Sequence, residues 1–180
     1  MIPFYLLFYP PGIFKTYPVR NWREVTLFLK WGLLLSLFAS IIRIIVSGSR
    51  TSISWIFWGI AQIVEYNDAI QGFPFILKMA LFFIITGLIV VFVWLIKSLI
   101  IMGIYQVLGD DVVFTEPKIA MSIAAASMIT NIWYMVPIVG PYFACFHGAF
   151  LVGYLAVSIN RLPLQIAIPV SIVGLIPITF

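Results

Sequence analysis

Uninterrupted apolar runs dominate this sequence, and their length decides what it can fold into. A helix needs roughly 20 apolar residues to cross the hydrocarbon layer, which is about 30 Å thick at 1.5 Å per residue. Five segments come near that length: 25–46, 75–96, 119–136, 142–159 and 164–180. Hydrocarbon also requires each segment to satisfy its own backbone polar groups, so these runs predict helices. The expected fold is all-α, a polytopic membrane bundle of five transmembrane helices formed by residues 25–180, preceded by a short interfacial or cytoplasmic segment, 1–24. The last span carries Pro169 and Pro177, so it is expected to kink or to fall short of a full crossing.

Composition excludes the alternatives. Only 9% of the 180 residues are charged and 63% are hydrophobic, against about a quarter charged in an average soluble domain. The net charge of +4 does not indicate nucleic acid, because the cations stand singly at the edges of apolar runs instead of forming a patch. The apolar start of the chain lacks a basic stretch ahead of it and contains Pro3, Pro10 and Pro11, unlike a cleavable leader.

Residues 52–66 differ from the spans. Ile53, Ile56, Phe57, Ile60, Ile63 and Val64 fall on one helical face, opposite Ser52, Trp55, Gly59, Gln62 and Glu65. The segment is too short to cross and is expected to lie in the headgroup layer as an amphipathic helix. The second apolar run continues past Lys97 to Leu108, and one helix over 75–108 would be about 50 Å long. It is therefore expected to leave the membrane near Lys97. Lys and Arg around the short loops favour a cell-membrane protein with a cytoplasmic N-terminus and an outside C-terminus.

Charged side chains near span ends read as interface anchors: Lys30, Arg43, Lys78, Lys97 and Arg161, whose long stems reach the headgroups. The third span is more informative. Ala120, Ala124, Ser127, Asn131 and Tyr134 recur at helical spacing, with Thr130 alongside, and the fourth offers Cys145, Ala149, Gly153, Ala156 and Asn160. Small residues let helix backbones approach closely in lipid, so these stripes predict that the third span docks on the fourth. A second reading places Ser127, Thr130, Asn131, Tyr134 and His147 around a polar cavity for a solute.

The sequence offers no catalytic, cofactor or metal site. Cys145 and His147 are two residues apart and point to different faces of a helix, and no nucleotide loop, serine-hydrolase elbow or histidine pair occurs. Asp110, Asp111 and Glu116 lack the spacing of a calcium loop.

The second half of the chain resembles the Yip1 family of small five-span membrane proteins. The resemblance rests on Trp94, Lys97 and Ser98, then Leu108-Gly109, a small-residue span closing on Val136-Pro137-Ile138-Val139-Gly140, Val152-Gly153-Tyr154, a short Asn160-Arg161 loop and a proline-bearing last span. Pro11-Gly12-Ile13-Phe14 ahead of a basic segment is similar to the entry of family members. The chain departs from the family at Ala126 and Thr130, where relatives often carry a tyrosine and then a proline. Eukaryotic members act in membrane traffic with small GTPases through a long N-terminal region; that role does not carry over to this chain. The resemblance implies a non-enzymatic membrane protein, a scaffold or adaptor whose partners are the lipid bilayer and either another copy of itself or a second membrane protein. A small-solute or ion permease is the alternative.

Overall fold

The computed structural model describes residues 21–47, 74–108, 117–136, 138–159 and 161–176. Its regular structure is helical throughout these residues: α1 (Trp22–Ser47), α2 (Phe75–Leu108), α3 (Pro117–Ser127) running into a 3-10 segment (Met128–Met135), α4 (Gly140–Tyr154) closing in a π turn (Leu155–Ile159), and α5 (Leu164–Val173). The amphipathic segment 52–66 lies outside the described residues, as do Pro137, Asn160, the acidic loop residues Asp110, Asp111 and Glu116, and the side chain of Arg43.

Local chemistry explains where the helices start. Ahead of α1, the Asn21 backbone N–H donates to the Glu24 carboxylate at 3.1 Å, and Glu24 N–H returns to the Asn21 carbonyl at 3.0 Å. This satisfies two donors that a helix start leaves open, and puts a negative charge at the positive end of the helix dipole. Proline opens α3 at Pro117, follows the first residue of α4 at Pro141, and caps α5 at Pro163; its fixed φ and missing N–H suit those positions.

Three helical stretches are long and apolar enough to cross a membrane: Trp22–Ile42, Ile76–Leu108 and Gly140–Val157. The other two expected spans are shorter. α5 has 10 residues, about 15 Å, and holds Pro169 in its interior. The third span is divided: α3 is an 11-residue α-helix and the remainder tightens into a 3-10 helix. Side-chain hydroxyls account for the tightening. Ser127 donates to the Ala124 carbonyl at 2.7 Å and Thr130 to the Ser127 carbonyl at 2.8 Å, both reaching three residues back and competing with the α-helical ladder.

α2 is unbroken across the expected exit at Lys97. Only 17% of its most apolar stretch is buried inside the protein, and Ile84, Leu88, Phe92 and Leu99 point outward. A helix apolar all round with a bare apolar face needs an apolar environment to cover it.

The segment 117–135 is the axis of the bundle. Every residue from Ile119 to Asn131 except Met121 is buried, and Ala120, Ala124, Ala125 and Ala126 have no exposed surface. Their short side chains let α1, α2 and α4 close around one helix. The segment packs on α4, as the stripes predict, and more extensively still on α1, a neighbour they did not indicate. At its tightest point a Cβ on Gly32 of α1 would lie 2.6 Å from the Met128 Cβ.

The inward stripe of α4 is shifted from the expected one. Gly140, Ala144, Gly148, Leu151 and Val152 are buried, while Cys145, Ala149 and Gly153 are only half-buried. One residue is about 100° of helix, enough to turn a stripe toward another neighbour. The inward face meets both the 3-10 segment, where Thr130 lies beside Gly148, and the end of α5, where Gly148 meets the Gly174 backbone; of the expected stripe, Gly153 packs on Ser171 of α5 and Ala156 is buried. Gly148→Val is expected to force α4 from α5 and cost about 1–3 kcal/mol, read as a lowered melting temperature in detergent. Gly103→Ala, whose added Cβ meets nothing within 4 Å, serves as the control and leaves melting unchanged or slightly raised.

Candidate functional site

Buried polar groups concentrate where the 3-10 segment faces α1, α2 and α4. In a 3-10 helix every third residue eclipses, so Met128, Asn131 and Tyr134 form one row and Ser127 and Thr130 begin the next. Asn131 and Tyr134 are 4% and 3% exposed.

Asn131 donates from Nδ2 to Ser36 Oγ at 2.9 Å, and Ser36 donates in turn to the Gly32 carbonyl at 2.7 Å. One level further along α1, Ser40 donates to the Ser36 carbonyl. The helix α1 that read as an apolar span thus carries a small polar ladder facing the axis.

Lys97 is the main departure from sequence expectation. Instead of extending to a headgroup layer as an anchor, its side chain is 3% exposed and its Nζ approaches Ser127 Oγ at 3.4 Å. The reason is register: α2 continues for 11 residues beyond Lys97, and the turn carrying Lys97 and Ser98 faces the axis, where both are buried. One and two turns on, Ile101 and Tyr105 bury against the same core. Since the Ser127 hydroxyl proton is committed to Ala124, Ser127 offers Lys97 a lone pair. No ion pair to Lys97 occurs among the described residues. Trp94, one turn before, ties α2 to α3 by donating from Nε1 to the Met121 carbonyl at 3.0 Å.

Lys97, Thr130, Asn131, Tyr134, Ala144, Cys145, Gly174 and Ile176 enclose a crevice of about 150 Å³ of space between atoms, nowhere wide enough for a water molecule. The structure therefore brings together Ser127, Thr130, Asn131 and Tyr134 as expected, and adds Lys97 and Cys145. His147 belongs elsewhere. Its Nδ1 accepts from Trp133 Nε1 at 3.0 Å, within an aromatic row that continues through Phe143, Phe150 and Tyr154. Cys145 and His147 face different neighbours, as their spacing requires.

Of the expected anchors, Lys30 and Arg161 are exposed and Lys78 is half-buried. Gly140 packs against the Trp133 carbonyl and Gly153 against α5. Among the described residues no group of three His, Cys, Asp or Glu could hold a metal ion. No family model, curated protein or solved structure matches the chain.

Part of the signal for Lys97 was present in the sequence. A lysine with apolar residues continuing for three turns beyond it does not stand at the end of its helix; that its side of α2 faces the axis is set by packing. Removing it tests the cluster. Replacing a buried charge by an apolar side chain of similar length is often neutral or stabilising by about 1–4 kcal/mol, so Lys97→Met is expected to melt at or above the wild-type temperature. Ser36→Ala and Asn131→Leu should show a coupling of about 1 kcal/mol in a double-mutant cycle, within the range for hydrogen bonds between membrane helices.

Proposed function

We propose that the chain is a non-enzymatic, multi-pass membrane protein, a scaffold or adaptor similar to the Yip1 family, acting through protein or lipid partners. The observation that carries this reading is the filled seam. Asn131 bonds to Ser36, Thr130 and Ser127 bond to backbone, and the crevice they share is too narrow for water. The Asn131 bond holds two helices together, the hydroxyl bonds are spent within their own segment, and none of these groups is left to line an aqueous path. The bare apolar faces of α2 and α4, the latter with Phe143, Phe146 and Phe150 exposed, supply surface for lipid or for another membrane helix. The short α5 and the divided third span complete the bundle alongside the three longer helices.

Crosslinking in native membranes is expected to capture a second copy of the chain or a defined membrane protein. Capture of neither overturns the scaffold reading.

One observation favours a second reading, the small-solute or ion permease. A buried cation is costly in an apolar bundle and usually marks a pathway, and Lys97 lines the same crevice as Thr130, Asn131 and Tyr134. If the crevice opens during transport, purified protein in vesicles carries a solute flux that Asn131→Leu reduces. Absence of flux for halides, small carboxylates and neutral solutes rules this reading out.

A further inference from the structure

A second polar feature lies at the start of α1, apart from the seam. Arg23, Thr26, Leu27 and Lys30 line an open groove of about 290 Å³. Their spacing of three, four and seven residues sets them on one face of the helix. Arg23 and Lys30 are exposed, and neither makes an ion pair among the described residues. The nearest acid in sequence, Glu24, is not a wall of the groove; it is buried and bonded to Asn21. The Thr26 hydroxyl proton is committed to the carbonyls of Trp22 and Arg23, so the free donors of the groove are the guanidinium and the ammonium. Among the described residues no acid lines the groove, which is cationic.

The same helix face continues into apolar surface. Leu34 and Phe38 follow Leu27 and Lys30 at spacings of seven, four and four, and are 43% and 50% exposed. Along about 20 Å of helix the chain thus presents two cations, then an apolar wall, then two outward apolar side chains. A soluble anion would use the head of this surface and leave the tail bare. An anionic phospholipid fits both parts.

We infer that the α1 face Arg23–Thr26–Leu27–Lys30 binds the phosphate headgroup of an anionic phospholipid, with Leu34 and Phe38 receiving its acyl chain. The inference rests on the proposal that the chain is a membrane protein working through partners, and names a lipid as one. Arg23 grips the phosphate oxygens through its planar fork, and Lys30 reaches up from a deeper position on its flexible stem. Specificity for anionic over zwitterionic lipid follows because two cations face a headgroup whose own ammonium would otherwise oppose them.

The test is native mass spectrometry of full-length protein released from detergent after titration with phosphatidylglycerol, or with phosphatidylcholine of the same acyl chains. Wild type is expected to retain one phosphatidylglycerol in preference to phosphatidylcholine, and to lose it as salt rises from about 0.1 M to about 1 M, where the Debye length falls to about 3 Å. Arg23→Gln with Lys30→Gln is expected to weaken retention about tenfold or more, at roughly 1 kcal/mol per cation. The charge-preserving Lys30→Arg should keep it, and Lys78→Gln on α2 should leave it unchanged. Equal retention by the double variant, or of both lipids by wild type, overturns the assignment. Inorganic phosphate displacing the lipid at equal concentration makes the occupant a free anion and overturns the lipid part. Failure of the membrane reading itself shows separately, as extraction of the chain from membranes by alkaline carbonate.

Discussion

The organisation of this protein depends on one helix turn that carries hydroxyl and amide groups into the middle of an apolar bundle. In such surroundings an unmet polar group costs more than a met one contributes; the buried hydroxyls of Thr86, Tyr105 and Ser122 have no hydrogen-bond partner among the described residues. Ser127 and Thr130 are satisfied by bonding three residues back, and in doing so they wind the chain from an α-helix into a 3-10 helix. That change of pitch aligns Asn131 with Ser36 of α1 and places Tyr134 beside it. The interhelical bond, the crevice and the position of the first helix all descend from the same local competition for backbone carbonyls.

Around that axis the bundle closes by backbone proximity at a few small residues, between which large side chains such as Phe28, Ile101 and Tyr105 are buried. The alanines of α3, Gly32 against Met128, and Gly148 against Gly174 bring helices closer than bulkier residues would permit. Close approach maximises dispersion contacts where apolar surroundings remove the hydrophobic drive between helices. Other large apolar side chains line the outer faces of α2 and α4.

Lys97 is an exception to this economy. Its burial beside a single serine lone pair is expensive in an apolar bundle, and natural sequences keep such groups where they serve a purpose. Arg23 and Lys30 carry the same kind of charge at the open end of α1, where solvent or headgroups solvate them. The contrast is set by position along the helix, since Arg23 precedes the first apolar run, Lys30 stands near its start and Lys97 lies within the second.

Much of this was legible from residue order. Run length and low charge specified helices suited to a membrane, the prolines at 117, 141 and 163 marked three of the helix starts, and the polar group Ser127, Thr130, Asn131 and Tyr134 stood out by spacing alone. What spacing could not decide was which neighbour each face would meet. A helical wheel assumes 3.6 residues per turn throughout, so it missed the 3-10 segment, gave α4 a stripe one residue out of phase, and put His147 with the polar cluster. It also treated Lys97 as an end residue, because distance along the chain says nothing of which side of α2 faces the axis. The sequence alone determined that this protein is built of apolar helices, since hydrogen-bond satisfaction in an apolar medium is a local requirement. Only the tertiary structure decided that the third segment is the axis, that Asn131 holds α1, and that Lys97 is enclosed, because those depend on the rotation of each helix against its neighbours.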